Sequence, residues 1–211
     1  MEGEEGMTTK EKILSKLKEN SSALLKSGAN EDFEMPDFNL IEPIKYPDSL
    51  EKFKETAKRV SGAQVEELGE KDINDLIKRL YPEAKIVGSN LKGIEADINP
   101  DEIRGGKDLM KVDVGVIKGS FGVAENGCIW IPQTMKERAL CFASEYLVIL
   151  LQKSDIVDNM HEAYALIDQH PDYFEPYGFG TFISGPSKTA DIESALVYGA
   201  QAARGVTVIL L

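Results

Sequence analysis

A chain of 211 residues that is 42% hydrophobic is long enough to bury one sizeable core. Its 36 Asp and Glu outnumber 24 Lys and Arg, for a formal net charge of −12. That balance argues against nucleic acid or an anionic membrane surface as a partner, because both are bound through clustered basic side chains.

The opening MEGEEGMTTK is acidic and lacks an apolar stretch, unlike a secretory signal. Residues 8–27 read as a helix. Thr8 and Glu11 have capping-box spacing, and Ile13, Leu14, Leu17, Leu24 and Leu25 fall roughly on one stripe. Gly28, Pro36, Pro43 and Pro47 then mark an extended connection. Residues 1–47 are therefore expected to form a helical arm and linker, docked on the domain or on a second copy in a homo-oligomer. Residues 48–211 are expected to form the domain.

Within that domain Asp48–Ser61 has a capping-box start and apolar residues at helical period, and Ala63–Leu68 reads as a strand. Asp72–Tyr81 reads as a helix stopped by Pro82, and Lys85–Gly88 as a strand. Residues 89–108, rich in Gly, Pro and charge, read mostly as loop. Val112–Gly119 and Cys128–Ile131 read as strands, and Glu145–Leu151 as a strand buried on both faces. Its apolar run from Tyr146 to Leu151 is far too short to span a bilayer. Ile156–Asp168 reads as a helix, Gly180–Ser184 as a strand, Thr189–Arg204 as a helix and Val206–Leu211 as a final buried strand. Strands alternating with helices predict an α/β fold with a mostly parallel sheet flanked by helices.

Cys128 and Cys141 form no CxxC pair and cannot hold an iron–sulfur cluster by themselves. Unpaired thiols suit a core position and a reducing, cytoplasmic setting. His161 and His170 lack metal-site spacing, so no protein-built metal centre is expected. Gly115, Gly119 and Gly122 do not match a dinucleotide fingerprint, and their spacing suits close strand packing. Tyr173, Phe174, Tyr177, Phe179 and Phe182 crowd one stretch, either as a pocket wall or subunit contact, or as core over a sheet edge.

Two segments are candidates for chemistry. Glu125-Asn126-Gly127 suits a two-residue hairpin turn, with Asn and Gly supplying positive φ. The same triplet resembles the active-site segment of CoA-transferases, where a Glu attacks a thioester, so Glu125 is a candidate nucleophile. Gly185, Pro186, Ser187, Lys188 and Thr189 follow a strand and precede the expected helix, with Asp191 and Glu193 in its first turn. Such a turn aims backbone N–H groups, hydroxyls and an ammonium at one point, suited to a small anion. The alternative is a well-capped helix without a ligand.

The run GPSKTADIE (Gly185–Glu193), an apolar stretch and a terminal apolar strand resemble the C-terminal signature of the lactate-utilisation protein C family (LUD domain). Val112–Ile131 resembles that family's strand-rich centre, and the likeness covers roughly residues 45–211. Glu125-Asn126-Gly127-Cys128 stands where the family often has Glu-Thr-Gly-Thr, and Gln201-Ala202-Ala203 where it often has His-Gly-Pro. The resemblance implies a fold like the sugar-phosphate isomerase and CoA-transferase superfamily. It also implies a component of a system oxidising L-lactate to pyruvate, with no cofactor of its own and iron–sulfur clusters only on partner proteins. A small carboxylate or phosphate metabolite would then bind at Gly185–Thr189, Asp191, Asn126 and Gly127. Two further readings remain, an acyl-CoA or CoA-transferase-like enzyme using Glu125 and a structural docking subunit.

Overall fold

The computed structural model describes residues 8–26, 42–192 and 195–211. The chain divides into two compact units, Met1–Glu42 and Pro43–Leu211. In the first, helix α1 spans Thr9–Lys26. Its capping box forms as the spacing predicts, with Thr8 N–H donating to Glu11 Oε2 at 2.7 Å and Glu11 N–H donating to Thr8 Oγ1 at 3.3 Å. Ile13, Leu14 and Leu17 on its apolar stripe are exposed. Most of the expected proline-bearing connection, residues 28–41, lies outside the described residues.

In chain order the second unit runs α2 (Ser49–Thr56), β1 (Gln64–Glu67), α3 (Ile73–Leu80), β2 (Val87–Gly88), β3 (Val114–Lys118), β4 (Phe121–Val123) and β5 (Ile129–Pro132). It continues with α4 (Leu140–Ala143), β6 (Tyr146–Leu151), β7 (Ile156–Val157), α5 (Met160–Gln169), β8 (Gly180–Ile183), β9 (Lys188–Ile192), β10 (Ala195–Tyr198) and β11 (Gly205–Leu210). Five strands form a parallel sheet in the order β1-β11-β6-β3-β2. A second sheet, β7-β4-β5-β8, is mixed: β4, β5 and β8 pair antiparallel and β7 joins β4 in parallel. This is the expected α/β architecture with a mostly parallel central sheet, extended by a smaller sheet.

The period of two along each strand divides the core. Val114, Val116, Val148, Leu150 and Ile209 face one side and pack with Leu76 and Ile77 of α3. Ile117, Leu147, Ile149, Leu151, Val208 and Leu210 face the other side and pack with Phe53 of α2 and Ile129 and Ile131 of β5. Both faces of the central strands are covered, which is why β6 reads as an unbroken apolar run and Val206–Leu210 as one interrupted only by the buried Thr207. The far face of the second sheet carries Phe121, Val123 and Trp130 against Ala163 and Ile167 of α5. Among the described residues, no helix is long and apolar enough to cross a membrane.

Two expected helices come out differently. The segment from Ile156 divides: its β-branched Ile156 and Val157 pair with Gly122 and Val123, and α5 begins only after Asn159, whose Oδ1 accepts Glu162 N–H at 3.0 Å. The helix expected over Thr189–Arg204 does not form. Lys188–Ile192 pairs antiparallel with Ala195–Tyr198, Val197 opposite Thr189 and Tyr198 opposite Lys188. Closure explains the change. Ser187 N–H donates to Ala203 O at 2.9 Å and Gly199 N–H donates to Ser187 O at 3.0 Å, so the two ends of the segment must meet. A helix over this span would hold them about 24 Å apart.

Because β11 lies between β1 and β6, its removal would open the centre of the sheet. A chain lacking Val206–Leu211 is expected to give no cooperative unfolding transition. A two-state urea melt of that truncated chain with native-like circular dichroism would overturn this.

Candidate functional site

The segments around Asn126 and Gly185, far apart in sequence, meet at the end of α2. That helix starts at Asp48, whose Oδ1 accepts Glu51 N–H at 2.9 Å, and continues through a wider turn over Ala57–Ser61 to Gly62 at φ +75°. Ser61 Oγ donates to Asn126 O at 3.0 Å and lies 2.7 Å from Ser184 Oγ. Gly127 has φ +69°, and a Cβ there would sit 2.8 Å from the Ala57 backbone. Gly185, at φ +66°, lies so close to the Ser61 carbonyl that a Cβ would overlap it. Neither position accommodates a side chain. Ser61, buried and central, carries no sequence signal, because only the close approach of two distant loops gives it partners.

The turn before β5 is a four-residue loop over residues 124–127 rather than the two-residue turn expected. Val123 N–H donates to Cys128 O at 2.8 Å, Gly127 N–H to Val123 O at 2.9 Å, and Cys128 N–H to Asn126 Oδ1 at 3.0 Å. Glu125 is exposed, and its Oε2 accepts Met160 N–H at 2.9 Å. Met160 opens α5, so the carboxylate sits at a helix N-terminus, where negative charge is favoured.

Lys188 Nζ donates to Val60 O at 3.2 Å and also to Ser61 O. The ammonium thus caps the carbonyl end of α2, where a cation matches the helix dipole. The helix N-terminus expected after Gly185–Thr189 is absent, since β9 follows, and Lys188 is engaged by backbone carbonyls. Thr189 and Asp191 lie in β9. Pro186 is buried and Ser187 closes the β9–β10 ribbon.

The remaining candidates divide. Gly115, Gly119 and Gly122 serve close packing, since a Cβ would meet Ser144 Oγ at 2.4 Å, Ile129 Cγ2 at 2.4 Å and Ile156 Cδ1 at 2.8 Å respectively. Phe121, Trp130 and Phe182 of the second sheet pack with Tyr173 and Phe174 in tilted and edge-to-face pairs, at centroid distances from 4.9 to 6.2 Å. His161 and His170 are exposed. Among the described residues, no group of three or more His, Cys, Asp or Glu is placed to hold a metal ion. Cys128 and Cys141 are buried, and burial pushes each thiol up to about 12.

Among the described residues, the depressions flanking the parallel sheet include three of about 310 Å³ or more. Two adjoin at the amino ends of its strands, of about 420 Å³ and 310 Å³, and share Gln64, Tyr81 and Tyr146. Tyr81 Oη and Thr207 Oγ1 are 2.6 Å apart between them. Glu83, Asp113 and Glu145 line the larger one, and the Arg204 guanidinium of the smaller is held by Glu145 at 2.8 Å. That edge carries three carboxylates against one guanidinium. The third, of about 330 Å³, opens beyond the carboxyl ends of β2 and β3. Lys92, Lys118, Ser120 and Thr134 line it with Asn90, Leu91 and Pro132. None of these residues stands out in the sequence, since they come from separate loops without shared spacing.

Lys188→Ala is expected to lower stability by about 1 kcal/mol, as for the loss of one charge-assisted contact to a helix end. Thr189→Ala should cost nothing attributable to an N-cap. Denaturant melts of both variants check this, and equal stability of Lys188→Ala and wild type would remove Lys188 as a cap. Both thiols should react with a thiol reagent at pH 8 only as fast as the fold opens. Immediate stoichiometric labelling of the native chain would contradict their burial.

Residues 50–211 match the LUD domain. A stretch of 102 residues is 31% identical to "Lactate utilization protein C" of Shouchella clausii (strain KSM-K16), covering 48% of this chain and 44% of that relative. The match thus spans less than half of that protein's length. The fold is similar to the crystal structure of a DUF162 family protein from Deinococcus radiodurans, with a TM-score of 0.59 and 15% identity over 80% of this chain and 99% of that one. With more than three quarters of its length matched, the chain belongs to the LUD domain family.

Proposed function

We propose that the protein is a LUD-domain component of a lactate-utilisation system, contributing to the oxidation of L-lactate to pyruvate. The observation that carries this reading is the match of residues 50–211 to the LUD domain, joined by the likeness to a protein named for lactate utilisation. The oxidation takes two electrons and two protons from the carbinol of lactate, so an electron acceptor is required. The chain's two thiols are buried and held neutral, unsuited to binding a cluster through thiolates. This supports placing the electron-accepting iron–sulfur clusters on partner proteins, with this chain as the metabolite-handling member. Acyl transfer through Glu125 has less support, because its carboxylate is engaged by the first N–H of α5 and lines none of the three depressions.

Removing the gene from its host is expected to abolish growth on L-lactate as sole carbon source, and supplying the intact chain should restore it. Lactate-dependent reduction of an artificial acceptor in cell extracts should fall in parallel. Unchanged growth and unchanged dye reduction would set the lactate role aside.

A further inference from the structure

We infer that the depression at the carboxyl ends of β2 and β3 is a binding site for a small carboxylate, with the Lys92 and Lys118 ammonium groups as its charge partners. The choice of lactate or pyruvate as the physiological ligand rests on the function proposed above; the site itself rests on geometry and charge. In open sheets of parallel strands, ligands sit beyond the carboxyl ends, where the chain changes direction. Here the chain leaves the parallel sheet at that point. Gly119 N–H still donates to Leu150 O of β6 at 2.9 Å, whereas Ser120 N–H donates to Trp130 O of β5 at 2.9 Å. Lys118 and Ser120 thus flank the step from one sheet to the other.

The charge pattern points the same way. The chain as a whole carries −12, so an anion site needs a local excess of positive charge. Among the described residues, neither Lys92 nor Lys118 makes an ion pair. Asp101 lies beside Asn90 and is oriented by its neighbours, Oδ1 accepting Lys136 N–H at 2.7 Å and Oδ2 accepting from Asn90 Nδ2 at 3.1 Å. Asn90 Nδ2 also donates to Thr134 O at 3.2 Å, which ties the loop after β2 to the loop after β5 and preforms two walls. With both amide hydrogens directed at acceptors, Asn90 Oδ1 is fixed as an acceptor, and it is buried without a donor. That oxygen is shielded from solvent, so Asn90 acts as a fixed part of the wall through its two donated hydrogen bonds. A volume of about 330 Å³ is at the small end of ligand pockets and suits an acid of a few carbons.

Calorimetry on the full chain at low ionic strength tests the site, with L-lactate, pyruvate and inorganic phosphate as separate titrants. Wild type should bind at least one carboxylate. Lys118→Gln and Lys92→Gln should each weaken it about tenfold or more, as for loss of a charge-assisted contact. Lys107→Gln, at a lysine that does not line the depression, should leave affinity unchanged. Urea melts of both site variants should match wild type, which separates lost binding from lost folding. If neither acid nor phosphate binds the wild type, or if a double Lys92→Gln, Lys118→Gln chain binds as tightly as wild type, the site is refuted while the lactate role stands on its own growth test. If phosphate binds in a lysine-dependent way and neither acid does, the anion site survives and its assignment to a carboxylate fails.

Discussion

The placement of β11 between β1 and β6 is the constraint on which the rest of this structure depends. β11 is the last element in sequence, and it pairs on both sides. Its residues then serve two cores at once. Ile209 faces α3, while Val208 and Leu210 face α2 and the second sheet. Each fully buried aliphatic side chain of this kind contributes about 1.5–3 kcal/mol relative to exposure. These pairings are distant in sequence, which raises the entropic cost of closing the sheet and makes the C-terminal segment decisive.

A second point of closure lies at Ser61. There the end of α2, the loop before β5 and the loop before β9 approach so closely that two positions admit only glycine. The carbonyls freed as the helix widens and ends are met by Lys188. A residue that reads as a ligand for anions is thus a partner for the protein's own backbone. The same lysine fixes the base of the β9–β10 ribbon, so the most family-like run in the sequence contributes to joining elements. Glu125 has a parallel fate at the opposite kind of helix end, where its carboxylate meets the first N–H of α5. The two charged residues that look most like chemistry therefore complement helix dipoles of opposite sign.

With those two charges engaged, the charge available for a ligand is divided between the two edges of the parallel sheet. The amino edge carries Glu83, Asp113 and Glu145, the last paired with Arg204, beside a tyrosine pair whose ring centroids are 5.0 Å apart. The carboxyl edge carries Lys92 and Lys118 beside hydroxyls and an amide. In a chain of net charge −12, two lysines at one sheet edge that make no ion pair among the described residues are what the proposed carboxylate site rests on. That edge is also the end where the strands' loops are free to vary without disturbing the sheet.

The sequence by itself determined the class of fold, the capping box of α1, the buried strands β6 and β11, and the family. Each of these depends on local pattern: spacing of caps, length of apolar runs, or a contiguous motif. The tertiary structure decided what happened after Gly185. The acids and apolar residues of 189–204 have a helical rhythm, but the contacts of Ser187 with Ala203 and Gly199 draw the ends together, and only a hairpin can satisfy them. It also decided the partners of Lys188 and Glu125, and it assembled Lys92, Lys118, Ser120 and Thr134 at one sheet edge. Such groupings are invisible in one dimension because residues from separate loops share no spacing. They acquire a common position only when parallel strands bring their carboxyl ends to the same side.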